Sequence, residues 1–352
     1  MKAIDLFCGA GGLSLGMHSQ GVTTVLANDI DKNFASTFKV NHPDCNVICQ
    51  DIHKIDFKKV VCSINLKDKV DIVSGGPPCQ GFSTVGKKDQ KDARNVLFWE
   101  FVRVVEEVRP RFVIFENVSG FKKMYQGEAF EKLVKELEAL NYKVTSALLD
   151  AVEYGLPQKR QRTIVVGWVE KNKNFIFPEP SIFITKKPLS LMDAISDLPP
   201  IMNGSKHECY KTDPQNEYQI EMRKKSITLT EHNASNYGPK MQRILEIIPS
   251  GGSVKDLPLE LRPKSYFANT YARLLPDKPA PTITRNFGTP SSSRCIHPFE
   301  NRALSTREGA RLQGFPDSYI FCGGKTNKNL QIGNAVPPIL GSIIMQGILS
   351  MQ

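Results

Sequence analysis

Asp5-Leu6-Phe7-Cys8-Gly9-Ala10-Gly11-Gly12 is the stretch that decides the fold of this chain. The run from Ala3 to Phe7 reads as a strand, the glycines as a turn, and the residues on to about Ser19 as a helix. Glycine lets backbone approach a ligand closely at the carboxyl end of a first strand, where open α/β sheets bind ligands. A dinucleotide fingerprint needs glycine at positions 9, 11 and 14, and position 14 is Ser14. Val22 to Ala27 reads as a second strand, with Asp29 at its end, placed to accept hydrogen bonds from ribose hydroxyls. Asp51-Ile52 follow a short third strand, Val47 to Cys49, where an adenine can meet one carboxylate and one apolar face. Together these fit an adenosine-containing cofactor without a strict pyrophosphate cradle. The plainer reading is a tight turn with two surface aspartates.

Outward from that stretch, strands keep alternating with helical patterns. A helix is expected from about Lys32, and strands at Val70 to Val73 and Phe112 to Phe115. Phe98, Val102, Val105 and Val108 recur at helical spacing, as do Phe130, Leu133, Val134, Leu137 and Leu140. Val144 to Leu149 and Thr163 to Val169 close the region as two strands. The pattern predicts an α/β fold with a doubly wound, mostly parallel sheet. Near residue 175 proline becomes frequent (Pro178, Pro180, Pro188, Pro199, Pro200), and periodicity fades until about residue 300. A second, irregular domain of loops and short strands is expected there. Pro337-Pro338 can then start a last helix with Ile339, Leu340, Ile343, Ile344 and Ile348 on its apolar face.

The 352 residues are 40% hydrophobic and 23% charged, which excludes wholesale disorder and leaves room for one large core and a smaller one. A net charge of +10 suits a polyanionic partner such as nucleic acid; an unspecialised basic surface is the bland alternative. The first residues lack an apolar stretch with a small-residue cleavage site, so the eight cysteines imply no disulfide framework. No Cys-x-x-Cys pair marks a structural zinc site, and no metal is expected. No apolar run approaches the ~20 residues of a membrane span. These readings predict a cytoplasmic protein without membrane partners.

Four later segments carry chemistry. Gly75-Gly76-Pro77-Pro78-Cys79-Gln80-Gly81-Phe82-Ser83 follows the fourth strand. Prolines stiffen the approach, glycines permit tight geometry, and a cysteine on such a turn can be presented as a nucleophile. A lone cysteine is otherwise most often a buried structural one. The polar, basic run from Val85 to Arg94 can close over a nucleic-acid backbone or remain a solvated loop. Phe115-Glu116-Asn117-Val118 ends the fifth strand, on the same sheet edge as Cys79 and the glycine turn, where a carboxyl group can protonate or hydrogen-bond a ring nitrogen. Alternation in Gln158-Lys159-Arg160-Gln161-Arg162 points Arg160 and Arg162 the same way. They can bind phosphate or orient the glutamate, or form an exposed basic turn.

These residues together resemble the bacterial cytosine-5 DNA methyltransferases. The motifs are DLFCGAGG (5–12), GGPPCQGFS (75–83), FENV (115–118), QKRQR (158–162), TREGARLQGFPD (306–317) and QIGNAVPP (331–338). Six motifs in the family's order are highly specific, and the resemblance spans nearly the whole chain outside about 175 to 270. It implies a class I fold that uses S-adenosylmethionine (AdoMet), with a catalytic domain over 1–180 completed by 325–352. Residues 181–324 would form a target-recognition domain and hinge. By the same resemblance Phe7, Gly9, Ala10, Gly11 and Gly12 contact AdoMet. Asp29 takes the ribose role, where the family more often has glutamate, and Ile30 stacks on adenine. Asp51 and Ile52 complete that pocket; Pro78, Leu97 and Asn334 match further cofactor positions.

The resemblance also implies a mechanism. Cytosine C5 is a poor nucleophile, and a Cys79 thiolate adding to C6 turns it into an enamine carbon. Glu116 would engage N3 and the exocyclic amine, Arg162 would orient Glu116 or contact the base, and Arg160 would hold the loop or a phosphate. The base must be flipped out of a double-stranded DNA site. Ser83, Lys87, Arg94, Arg285 and Arg294 are candidate DNA contacts, without assigned specificity. The expected role is the modification enzyme of a restriction-modification system, sharing its site with a cognate endonuclease and acting as a monomer. The alternatives are a transfer-RNA cytosine methyltransferase and a catalytically silent DNA-binding relative. The transfer-RNA branch usually carries a Cys-Phe-Thr tripeptide, which this chain lacks.

Overall fold

In a computed structural model of the chain, residues 1–66, 69–78, 97–170, 172–180, 187–292 and 294–351 are described. They divide into two compact units. The first comprises Met1–Asp150, Gln161–Ile182 and Pro338–Gln352, the second Ala151–Arg160 and Phe183–Pro337.

The first unit is built on β1 (Lys2–Leu6), α1 (Gly12–His18), β2 (Thr23–Asp29), α2 (Lys32–Asn41), β3 (Asn46–Cys49), α3 (Phe57–Ser63), β4 (Ile72–Gly75), α4 (Leu97–Val108), β5 (Phe112–Val118), α5 (Glu128–Ala139), β6 (Lys143–Asp150) and β7 (Gln161–Trp168). The seven strands make one sheet in the order β3-β2-β1-β4-β5-β7-β6. The first five run parallel, as the sequence predicts. Strand β7 lies antiparallel between β5 and β6, because it returns from β6 without a crossover helix. Both faces of the sheet are covered, so the central strands are apolar and buried; β4 is buried at every position.

The helices follow their apolar spacing. In α4, Phe98, Phe101, Val102, Val104 and Val105 are buried, and in α5, Ala129, Leu133 and Leu137. Asp31 caps α2 by accepting from the Asn33 and Phe34 amides, and Asp56 caps α3 through the Lys59 amide. The sequence reading did not anticipate α3, a seven-residue helix. The order places a switch point between β1 and β4, with Leu6 and Gly75 in register. The glycine turn and the 75–78 segment therefore leave the sheet from adjacent strand ends, the usual ligand crevice of such folds. The last helix, α11 (Pro338–Leu349), packs on α1 so closely that a side-chain carbon at Gly16 would overlap the Pro338 carbonyl.

The second unit holds α6 (Leu191–Ile195), α7 (Glu217–Arg223), α8 (Pro239–Ile247), α9 (Thr306–Leu312) and α10 (Lys325–Asn334), joined by long irregular segments. One of its apolar clusters gathers Ile244, Leu245, Ile248, Val254, Leu257, Tyr271 and Ile296. With few ladders to satisfy carbonyls, arginines do so instead. Arg273 is buried and donates to the carbonyls of Ile248, His297 and Glu300 at 2.8, 3.0 and 3.0 Å. Residues 151–160 and 325–337 belong to this unit.

Candidate active site

The turn after β1 carries an unusual run of backbone conformations. Phe7, Gly9 and Gly11 have φ of 54°, 55° and 83°. The left-handed region is free for glycine but strained for a phenylalanine, and such strain persists where the surroundings enforce it. Here Cys8 N donates to the Asn28 carbonyl at 3.0 Å and Gly11 N to the Cys8 carbonyl at 2.9 Å.

Asp29 closes this turn from β2. Its Oδ2 accepts from Gly9 N and its Oδ1 from Asp31 N, both at 2.9 Å. Burial pushes its carboxyl above the ordinary range, against the pull of those amides. A carboxylate offers about four acceptor sites, so capacity remains for ribose hydroxyls. Ile30 next to it is 70% exposed, an apolar side chain held in the open. Asn28, which sequence reasoning missed, ties β2 to the end of β3 by donating to the Ile48 and Gln50 carbonyls, both at 2.9 Å.

Asp51 accepts from His53 N at 3.1 Å and pairs with His53 Nδ1 at 2.8 Å. The His53 side chain and amide hold its carboxyl below the usual range. Ile52 departs from expectation. Residue 52 is 3% exposed and packs into the main core, so little of it faces solvent. It carries two consecutive roles, core residue and start of a short 3-10 turn, and the burial decides its direction. Leu97 packs at the edge of the same core, and Pro78 is exposed.

At the end of β5, Glu116 is 7% exposed and Arg162 Nε lies 2.7 Å from its Oε1. Asn117 Nδ2 donates to the Pro77 carbonyl at 3.2 Å, fixing the segment that leads toward Cys79. A Cβ at Gly76 would lie 2.6 Å from Glu116 Oε2, so the segment rests directly on the glutamate. Cys79, Ser83, Lys87 and Arg94 lie outside the described residues.

Arg160 does not share the setting of Arg162. β7 begins at Gln161, so strand alternation does not extend to Arg160. Its guanidinium is 1% exposed and donates to the carbonyls of Ile283, Gly333 and Ala335 at 2.9, 2.7 and 2.8 Å. These bonds tie it to the segments around 283 and 333–335. Asn334, at the end of α10, is exposed, as are Arg285 and Arg294. Arg302 reaches both Glu300 and Glu308, with two 2.7 Å bonds to the latter. His297, Glu300 and Glu308 could otherwise suggest a metal site, but the guanidinium already meets their charge. Burial alone would raise Glu308; Arg302 instead holds its carboxyl well below the usual range.

Residues 1–350 match the family described as C-5 cytosine-specific DNA methylase. The chain belongs to this family. The methylase is 38% identical to the type II methyltransferase M.DdeI of Desulfomicrobium norvegicum, over 99% of this chain and 88% of that protein. It is 35% identical to M1.HphI of Haemophilus parahaemolyticus, over 99% and 87%. Among solved structures, a prophage-encoded E. coli protein assigned as a DNA modification methyltransferase superposes with a TM-score of 0.82 at 26% identity, covering 100% of this chain and 99% of that one. The S. pombe Dnmt2 methyltransferase, at 15% identity over 99% and 98% with a TM-score of 0.65, shares the fold. The methylase is thus an enzyme that methylates cytosine C5 in DNA, on a class I methyltransferase fold, as the six motifs imply.

Proposed function

We propose that the methylase modifies one cytosine within a specific double-stranded DNA sequence, through a covalent Cys79 adduct on a flipped-out base, with AdoMet as methyl donor. The observation that carries this reading is the buried Glu116–Arg162 pair beneath Gly76, at the mouth of the segment leading to Cys79.

The residues fit AdoMet. The left-handed glycine turn leaves backbone open to close approach, and the exposed Ile30 at the adjoining strand end offers an apolar face to adenine. Asp29 would hold the ribose, Asp51 and Ile52 the adenine edge, and Phe7, Gly9 to Gly12, Pro78, Leu97 and Asn334 the remainder. Bound AdoMet supplies an electrophilic methyl group. The Cys79 thiolate adds to cytosine C6, forming a C–S bond and moving the ring π electrons toward C5. Glu116 hydrogen-bonds N3 and the exocyclic amine and offsets the charge that develops on the ring. Arg162 holds Glu116 in place. After C5 is methylated, loss of its proton and expulsion of the thiolate restore the ring and free Cys79.

The first unit would perform catalysis, with Ser83, Lys87 and Arg94 meeting the DNA, and the second would read the DNA, with Arg285 and Arg294 at phosphates or base edges. The names of M.DdeI and M1.HphI support a place in a restriction-modification system, with a cognate endonuclease cutting the same site without stable binding. The protein would act in the cytoplasm as a monomer, since DNA supplies the contact surface.

Cytosine-methylation sequencing of plasmid DNA from cells making the protein, beside Cys79→Ala, tests this. Methylcytosine confined to one short motif and absent in the variant is expected. An unmarked plasmid, or a mark that survives Cys79→Ala, would overturn the reading.

A further inference from the structure

Asp5 is 1% exposed and has no part in the mechanism above. Its two carboxyl oxygens reach in two directions. Oδ2 accepts from Ser14 Oγ at 2.7 Å, in the first turn of α1 directly after the glycine turn. Oδ1 accepts from Ser74 Oγ at 3.0 Å. Ser74 is the register partner of Asp5 in β4 and immediately precedes Gly75-Gly76-Pro77-Pro78. Ser14 Oγ also lies 3.0 Å from Thr24 Oγ1 on β2. One carboxyl therefore joins both segments that diverge at the switch point, one bound for the cofactor turn and one for the cysteine.

A buried acid costs stability unless its partners satisfy it, so a merely structural site would more economically be apolar. Among the described residues, the titratable groups facing Asp5 are Asp29 and the thiols of Cys8 and Cys45, and none is a cation. Burial pushes the Asp5 carboxyl up to about 7, against the two serine hydroxyls. When neutral it must donate a hydrogen bond. Ser14 can accept that proton while turning its own toward Thr24, so the hydroxyl chain has two orientations.

Resting on the functional reading above, we propose that Asp5 is a positioning residue, setting the glycine turn through Ser14 and the cysteine-bearing segment through Ser74. The Ser14 arm acts on AdoMet affinity and the Ser74 arm on the methyl-transfer rate.

Calorimetry with AdoMet and single-turnover methylation of cognate DNA test this on the full chain carrying Ser14→Ala, Ser74→Ala or Asp5→Asn. Ser14→Ala should weaken AdoMet about three- to tenfold, the worth of one hydrogen bond, with a saturated rate within about twofold of wild type. Ser74→Ala should show the reverse. Asp5→Asn should show both; because burial raises the Asp5 carboxyl toward neutrality, wild-type AdoMet affinity is expected to change between about pH 6 and about pH 8, and Asp5→Asn should lose that change. Both serine variants shifting both constants alike, in step with melting temperature, would mean a structural network and overturn the proposal. So would Asp5→Asn keeping the wild-type pH dependence. A wild type that binds AdoMet yet leaves DNA unmethylated would instead sink the functional reading, and the calorimetric arm would still decide Asp5.

Discussion

Arg162 and Glu116 are diagonal neighbours on two antiparallel strands: Arg162 pairs in register with Val118, two residues beyond the glutamate, and its Nε lies 2.7 Å from Glu116 Oε1. Both side chains are nearly buried, at 13% and 10% exposure, so the pair is screened little by solvent. Arg162→Ala removes a charge-assisted hydrogen bond worth roughly 1.5–3 kcal/mol and lets the carboxylate swing. Single-turnover methylation should slow by about 10- to 100-fold at unchanged AdoMet affinity. A normal rate would remove Arg162 from the site.

Gly76→Ala places a carbon 2.6 Å from Glu116 Oε2. The carboxylate end must move by several tenths of an ångström, and misplacement on that scale is costly to catalysis. The rate should fall at least about tenfold with a melting temperature within about 2 °C of wild type, since little core packing changes. A rate equal to wild type would show that the glutamate's position is not critical.

Arg160→Met leaves the carbonyls of Ile283, Gly333 and Ala335 without their donor. Orphaned buried acceptors cost about 1–3 kcal/mol each, so thermal and urea melting should show a loss of several kcal/mol. The salt dependence of DNA binding should stay as in wild type. A shallower salt slope with unchanged melting would restore the phosphate role.

His42 lies against Phe38, and burial, with His18 nearby, pushes its imidazole down to about 4. Its ordinary value is about 6.5, so on acidification the unfolded chain takes up this proton first. The stabilising contribution is full above about pH 6.5 and is lost as pH falls toward 4. His42→Gln should flatten that part of the melting-temperature profile between pH 7 and pH 4. An unchanged acid limb would show that His42 does not drive it.

Arg285 and Arg294 are exposed on the second unit. If both meet phosphates, the double alanine variant should reduce the slope of log affinity against log salt by about 1.8, about 0.9 per contact. Weakening confined to one base position of the site, with the slope intact, would assign them to base reading instead.

Much of the first unit is legible locally. Its seven strands, the glycine turn and the two amphipathic helices α4 and α5 rest on periodicity and composition that a short window contains. α3 escaped because a seven-residue helix with two valines carries a weak pattern; Asp56 as its cap, with Phe57, Val60 and Val61 following, was the available signal. Ile52 and Arg160 show the limit. Chain neighbours say nothing of the burial that turns Ile52 into the core, or of the carbonyls at 283, 333 and 335 that engage Arg160.

By itself the sequence determined the family and the order of strands in the first unit, because those depend on residue type and local spacing. Tertiary structure alone decided that β7 slips between β5 and β6, that Gly76 rests on Glu116, and that Asp5 reaches both Ser14 and Ser74. Most of these join residues tens of positions apart, and only packing and the pairing of strands can fix which of many possible partners a side chain meets.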